Sequence, residues 1–174
     1  AIEEFYEGVY AACEKYGVDL VGGDTASSQK GFIISVTAIG EITPDKVVKR
    51  SGAKKGDLLC CSGDLGAAYI GLLFLEREKK IYMESPGVQP DLENESYVIG
   101  KLLKPEARKD MVEFFSTQEI IPTSMIDVSD VLSSDVLHVC KDSNLGCVLD
   151  EEKIPVAEEM KKAAEELTKL KEEF

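Results

Sequence analysis

Two short acidic stretches carry residue types suited to holding phosphate through a hard metal ion. In Gly22-Gly23-Asp24-Thr25 a carboxylate follows two glycines at the end of a short apolar run. Glycines let a backbone approach a ligand closely, and a carboxylate at such a place can bind a magnesium-sized cation. In Ser124-Met125-Ile126-Asp127-Val128-Ser129-Asp130 two carboxylates lie three residues apart, where an extended stretch meets a helical pattern. A helix starting near Ser129 would put Asp127 just ahead of it and Asp130 in its first turn. Ser129 and nearby amides could then reach a phosphate. Each stretch also has a plainer reading. Taken alone, the first is more often a glycine-rich turn with Asp24 as a turn residue. The second stands level with an ordinary helix cap followed by the acidic residues that helix starts favour.

Weaker features surround these two. Ser62-Gly63-Asp64-Leu65-Gly66 joins an apolar run to a helical pattern, as anion-cradling loops do. It lacks the closing Lys-Ser/Thr of a P-loop and does not fit G-x-G-x-x-G, so a tight structural turn is the better reading. Arg50 and Lys54 could steady phosphate oxygens, with surface ion pairing as the default. His138 lies within an apolar helical pattern and reads as a packed or half-exposed histidine. Ser133-Ser134 has no His/Asp partner pattern, so nucleophilic catalysis is set aside.

The elements that must position these residues alternate in type. Residues 2–16 place Ile2, Phe5, Tyr6, Val9, Tyr10, Cys13 and Tyr16 at helical spacing, and Gly17 is a fitting stop. Val18–Val21 and the β-branched run 32–42 read as strands, as do Leu58–Ser62 and Leu145–Leu149. Further helices are expected over about 67–80, 95–103, 106–118 and from near Ser129 through Cys140. A last helix sets Met160, Ala163, Ala164, Leu167 and Leu170 on one face, with Glu and Lys on the other. The loop-like Arg50–Asp57 looks like a junction. The expected fold is therefore α+β, with α/β layering. A partial sheet-forming domain over 1–50 precedes a partial α/β domain over 51–174.

Composition narrows the function. With 20 Lys+Arg against 33 Asp+Glu, the formal net charge of −13 argues against a nucleic-acid or anionic-membrane surface. The longest apolar stretch, Gly66 to Leu75, is about half the roughly 20 residues a membrane span needs. The cysteines (Cys13, Cys60, Cys61, Cys140, Cys147) are odd in number and without C-x-x-C spacing, which suggests free thiols in a reducing cytoplasm and no zinc site. Ala1 falls directly into a helical pattern, so the sequence is expected to be a piece of something longer.

At these residues the sequence resembles a known family. The runs GVDLVGGDTASS (17–28), ISVTAIGEI (34–42), RSGAKKGDLLCCSGDLGAAYIGL (50–72), LKPEARKDMVEFF (103–115), PTSMIDVSDVLSSDVLHVCK (122–141) and GCVLDEEKIP (146–155) are similar to thiamine-monophosphate kinase, of the aminoimidazole-ribonucleotide synthetase and selenophosphate synthetase superfamily. That resemblance implies magnesium-dependent transfer of the ATP γ-phosphoryl to thiamine monophosphate, giving thiamine diphosphate, in a cytoplasmic homodimer. It implies that Asp24, Asp127 and Asp130 are metal ligands, and that Ser129, Arg50 and Gly23 contact the nucleotide. It also implies dimer pairing through the N-terminal sheet, with run 32–42 at the interface.

The sequence departs from the family at one motif position, where Val131 stands in place of a Gly. Val131 puts the local ligand geometry in question. The family's upstream Asp-Asp loop and downstream Gly-Gly-Glu-Asp-Tyr-Glu run are not in the sequence, so little kinase activity is expected of these residues alone. Two other readings remain: another ATP-using enzyme of the superfamily, or a non-catalytic or redesigned scaffold.

Overall fold

The structure is a computed structural model that describes residues 2–90 and 92–172, with side chains through Thr168. It divides into two compact units, Ala1–Val47 and Val48–Phe174.

The first unit is built on α1 (Ile2–Tyr16). Its apolar stripe is half covered: Phe5, Tyr6, Val9, Cys13 and Tyr16 are partly shielded, while the intervening residues are exposed. Phe32, from the chain that follows, packs edge-on against Phe5 at 6.0 Å between ring centres. The helix stops as expected. Gly17 takes φ 67°, and the Val18 amide donates back to the Cys13 carbonyl, a reversal that glycine adopts without strain.

Beyond α1 the expected sheet is not formed. Among the described residues there is no strand in either unit, and runs 18–21, 32–42, 58–62 and 145–149 are irregular chain apart from their single bonds to neighbours. This corrects the α+β expectation, because the described elements are helices. The physical reason is that a β-branched run has only a conditional preference for the pleated state. It needs a cross-strand neighbour and a covered face. Here Val21 is 90% exposed, Val36 85% and Ile39 88%, so these side chains have nothing to pack against.

The second unit contains α2 (Ala67–Glu84), α3 (Ser96–Leu103), α4 (Lys109–Thr117), α5 (Leu132–Ser143) and α6 (Glu158–Glu172). Its core is where α2, α3 and α6 meet, with Ala67, Phe74, Val98, Ala163 and Leu167 buried and Ile70, Leu73, Tyr97, Ile99 and Met160 packed against them. Met160, Ala163 and Leu167 thus face inward from α6 as their spacing predicts; the side chain of Leu170 lies outside the described residues. Two glycines allow this packing. A Cβ on Gly71 would stand 2.7 Å from the Val98 carbonyl carbon, so α2 and α3 approach closely only without it. Gly66, ahead of α2, takes φ 89° and lies against Met160. The Arg77 guanidinium covers the Phe74 ring at 4.6 Å and pairs with the buried Glu78 at 2.8 Å.

Candidate functional site

The residues around Arg50 and those leading to Asp127 are drawn together by backbone and side-chain hydrogen bonds. The Met125 amide donates to the Lys49 carbonyl at 3.0 Å. Thr123 Oγ1 donates to Asp57 Oδ2 at 2.6 Å, and the Lys54 amide donates to the same oxygen at 2.8 Å. The Thr123 hydroxyl, followed by the Lys54 amide, holds the Asp57 carboxyl below its ordinary value. Gly52 adopts φ 127°, and a Cβ there would come within 2.5 Å of the Thr123 carbonyl oxygen. Only glycine satisfies both conditions. Ser143, the last residue of α5, accepts from the amides of Gly52 and Ala53 at 3.1 and 3.2 Å. Arg50 is therefore fixed through its backbone beside the segment that carries Asp127. Its own side chain is exposed and has no ion-pair partner among the described residues.

Asp127, Ser129 and Asp130 are all exposed, with a bend at 129–130. The helix after them starts later than its composition suggests. Val131 is the N-cap, at φ −148° and ψ 146°, and offers no side-chain bond to the helix; Leu132 is the first helical residue. Ser129 therefore does not cap α5, and Asp130 precedes the first turn instead of lying in it. The first-turn acid is Asp135. A β-branched valine fits this extended backbone well, and that conformation is what displaces the helix start. Val131 is consequently unstrained where the family pattern has glycine. Among the described residues no side-chain bond from the N-cap reaches the N-terminus of α5, and helix amides at such an end can meet an anion.

Gly23 and Asp24 lie in the first unit. Asp24 is exposed, and its Oδ1 accepts the Thr25 amide at 2.8 Å. Neither Gly22 nor Gly23 has positive φ. A Cβ on Gly22 would meet nothing within 4 Å, and one on Gly23 only the Tyr6 hydroxyl at 3.8 Å. The protein itself makes no demand for glycine there.

The Ser62–Gly66 loop proves to be a clamp. Asp64 Oδ2 accepts from the Tyr97 hydroxyl at 2.7 Å and from Lys101 Nζ at 2.8 Å, and the Leu65 amide donates to the Pro155 carbonyl. Burial pushes the Asp64 carboxyl up, but Lys101 and Tyr97 together outweigh it and hold the group below its ordinary value. His138 is exposed on α5.

Sequence reasoning named Asp64 only as part of a tight turn and missed Asp135. Among the described residues, Asp64 Oδ1 and Asp135 Oδ2 are buried without a hydrogen-bond partner. Asp135 is 4% exposed and lies one turn beyond the Asp127–Asp130 stretch. Its place in an apolar helical pattern, beside Val136 and Val139, was the available signal.

Among the described residues, no group of three or more His, Cys, Asp and Glu side chains is placed to hold a metal ion by itself. Magnesium does not need such a cage. It keeps several waters and binds through one or two carboxylates together with substrate phosphates. Exposed carboxylates at Asp127 and Asp130, with Ser129 between them and Arg50 nearby in the chain's hydrogen-bonded frame, fit that mode.

An exposed acidic pair ahead of a helix start, with an arginine on a neighbouring segment, is suited to phosphate through magnesium, and comparison with known proteins bears on that. Residues 1–42 match the family described as AIR synthase related protein, N-terminal domain. The chain is 36% identical over 168 residues to the thiamine-monophosphate kinase of Aquifex aeolicus, covering 97% of this chain and 50% of that one. It is 31% identical to the Pyrococcus horikoshii thiamine-monophosphate kinase over 94% of this chain and 47% of that one. The Bacillus subtilis enzyme of the same name is 29% identical over 92% of this chain and 47% of its own length. The chain is thus similar to thiamine-monophosphate kinases, and it spans about half the length of the curated relatives it matches. No solved structure matches it significantly. No helix among the described residues is long and apolar enough to cross a membrane.

Proposed function

We propose that these residues are part of an enzyme that transfers the γ-phosphoryl group of ATP to the phosphate of thiamine monophosphate, yielding thiamine diphosphate. The observation that best supports this is the hydrogen bonding that fixes the Arg50 segment beside the Asp127–Asp130 stretch. It brings a cation suited to phosphate oxygens into one frame with carboxylates suited to magnesium.

In this reading Asp127 and Asp130 would hold Mg²⁺ together with nucleotide phosphates, and Asp24 with Gly23 is a separate candidate within the first unit. Magnesium, when bound, neutralises charge on the phosphates as the phosphoryl group moves. The chain's own residues position the reactants. Arg50 can donate two parallel hydrogen bonds to phosphate oxygens. Ser129 donates a hydroxyl hydrogen bond, and the amides at the start of α5 add a partial positive charge. None of these groups needs to exchange a proton, because phosphoryl transfer of this kind depends mainly on alignment and charge stabilisation. The working form is proposed to be a homodimer in the cytoplasm, where the five cysteines, free in this structure, would stay reduced.

The scaffold reading rests on Val131 and on the regular Glu and Lys face of the last helix, and the unstrained extended conformation of Val131 weakens the first of these supports. The test is calorimetric titration of ATP into the 174-residue chain with and without Mg²⁺, alongside Asp127→Asn and Asp130→Asn. Binding heat that requires Mg²⁺ and weakens at least tenfold in either variant is the expected result. Nucleotide binding indifferent to both metal and substitutions would refute the assignment of these carboxylates.

A further inference from the structure

Asp57 joins the loop that follows Arg50 to the stretch ahead of Asp127. The Asp57 amide donates to the Lys54 carbonyl at 3.1 Å, and Asp57 Oδ2 accepts the Lys54 amide at 2.8 Å. These two bonds close residues 54–57 into a turn from both sides. Its third residue, Gly56, takes φ 96°, the positive value that a type II turn requires at that position. The carboxylate is therefore set in place by its own loop. The same oxygen takes the Thr123 hydroxyl at 2.6 Å, from a segment 66 residues away. Held below its ordinary value, the Asp57 carboxyl is ionised near neutrality and can only accept, so the hydroxyl must donate. A bond to a charged acceptor is among the stronger kinds. Two residues on, the Met125 amide donates to the Lys49 carbonyl at 3.0 Å. Only Ile126 separates Met125 from Asp127, and Arg50 directly follows Lys49.

We propose that Asp57, acting through Thr123, is a positioning residue that sets Asp127 and Asp130 relative to the Arg50 segment for magnesium-bound nucleotide. The role rests on the phosphate-site reading given above. Asp57 and Thr123 are both exposed. Breaking their bond leaves no polar group stranded away from water, so little of the cost falls on global stability. The core of α2, α3 and α6 contains neither residue. Without the bond, the Lys49–Met125 hydrogen bond loses its brace, and the stretch before Asp127 opens locally while the unit stays folded. The two carboxylates and Arg50 would then meet the phosphates in many arrangements instead of one. The cost of ordering them would come off the affinity.

The experiment compares the 174-residue chain with Asp57→Ala, Thr123→Val, Thr123→Ser and the double variant Asp57→Ala/Thr123→Val, with Asp127→Asn as the control for the site. Calorimetric titration of ATP with and without Mg²⁺ gives the affinity, and amide exchange followed by NMR reports on Met125. Asp57→Ala and Thr123→Val should each weaken magnesium-dependent ATP binding at least about fivefold and speed Met125 exchange by a similar factor. The Phe74 amide in α2 should exchange as in the parent. Thr123→Ser keeps the hydroxyl and should bind within about twofold of the parent, a rescue that a general loss of structure would not show. The double variant should be no weaker than Asp57→Ala alone, because both changes remove the same bond. Thr123→Ser as weak as Thr123→Val, or Met125 exchange unchanged in both single variants, would overturn the proposal. Binding that Asp127→Asn weakens but the Asp57 and Thr123 variants do not would also overturn it, and would leave the site reading standing. A parent chain with no magnesium-dependent binding overturns the site reading, and the positioning role with it.

Discussion

Replacing Gly71 with alanine tests the close approach of α2 and α3, because two effects of known size oppose each other there. Alanine is favoured over glycine in a helix interior by about 0.8–1 kcal/mol. A Cβ at position 71 would stand 2.7 Å from the Val98 carbonyl carbon and 3.1 Å from the Ile99 nitrogen. The first distance falls roughly 0.8 Å inside the ~3.5 Å lower edge of ordinary carbon–carbon contact. The atoms it meets are backbone and cannot rotate aside, so the two helices must separate around the buried Phe74 and Val98. Overpacking of this kind costs about 1–3 kcal/mol and sometimes more. Sterics should therefore offset or outweigh propensity, leaving Gly71→Ala destabilised by a net of up to about 2 kcal/mol. Gly100 on α3 is the control, since a Cβ there meets nothing within 4 Å. Gly100→Ala should gain about 0.5–1 kcal/mol from propensity alone. Urea unfolding followed by circular dichroism, with midpoints compared at unchanged slope, measures both. If Gly71→Ala were as stabilising as Gly100→Ala, the close α2–α3 contact would be wrong.

Three further outcomes are expected. Gly52→Ala forces a strained φ and a clash with the Thr123 carbonyl, costing about 1–3 kcal/mol; together with the milder Ser143→Ala, it should weaken magnesium-dependent ATP binding in calorimetry although neither residue is a proposed ligand. Because Asp64 is held below its ordinary value, its contribution to stability is fully present above the unfolded carboxyl value of about 3.9 and is lost as pH falls through the folded one. Unfolding curves between about pH 5 and 2 should thus converge for the parent and Asp64→Asn, and Tyr97→Phe should cost about 1.5–3 kcal/mol near neutrality. Val131→Ser supplies the side-chain cap that α5 lacks and should raise the denaturation midpoint by the equivalent of about 1 kcal/mol; an unchanged or lowered midpoint would count against the assigned helix start.

The helices were legible in the sequence because their apolar residues recur with the helical period over two or more turns. Met160, Ala163 and Leu167 face the core as that period requires. The stretches read as strands were not legible in the same way. Residues 32–42 have the composition of a strand, but pairing depends on a neighbour elsewhere in the chain, and no local pattern reports that neighbour. The start of α5 was misplaced because Ser129 and Asp130 are good cap residues by type, while Val131, a poor one, holds the extended conformation that decides the boundary. Within the candidate site, Asp127, Ser129, Asp130 and Arg50 were visible as residue types. Their relation was not, since it runs through Lys49, Gly52, Thr123 and Ser143, whose bonds join positions 66 to 91 residues apart.

Ser143 has a mechanical consequence. One of its oxygens holds the amides of Gly52 and Ala53, while the Lys49 carbonyl takes the Met125 amide. The stretch from 125 to 143 is thus fastened at both ends onto five consecutive residues, like the two feet of a caliper set on one ruler. Its stiff limb is α5, 12 residues long and so about 18 Å. Thermal motion that displaces Arg50 must carry the base of the Asp127–Asp130 stretch with it. A phosphate arriving there would find these backbone positions already set, and little further ordering of them would be charged against its affinity.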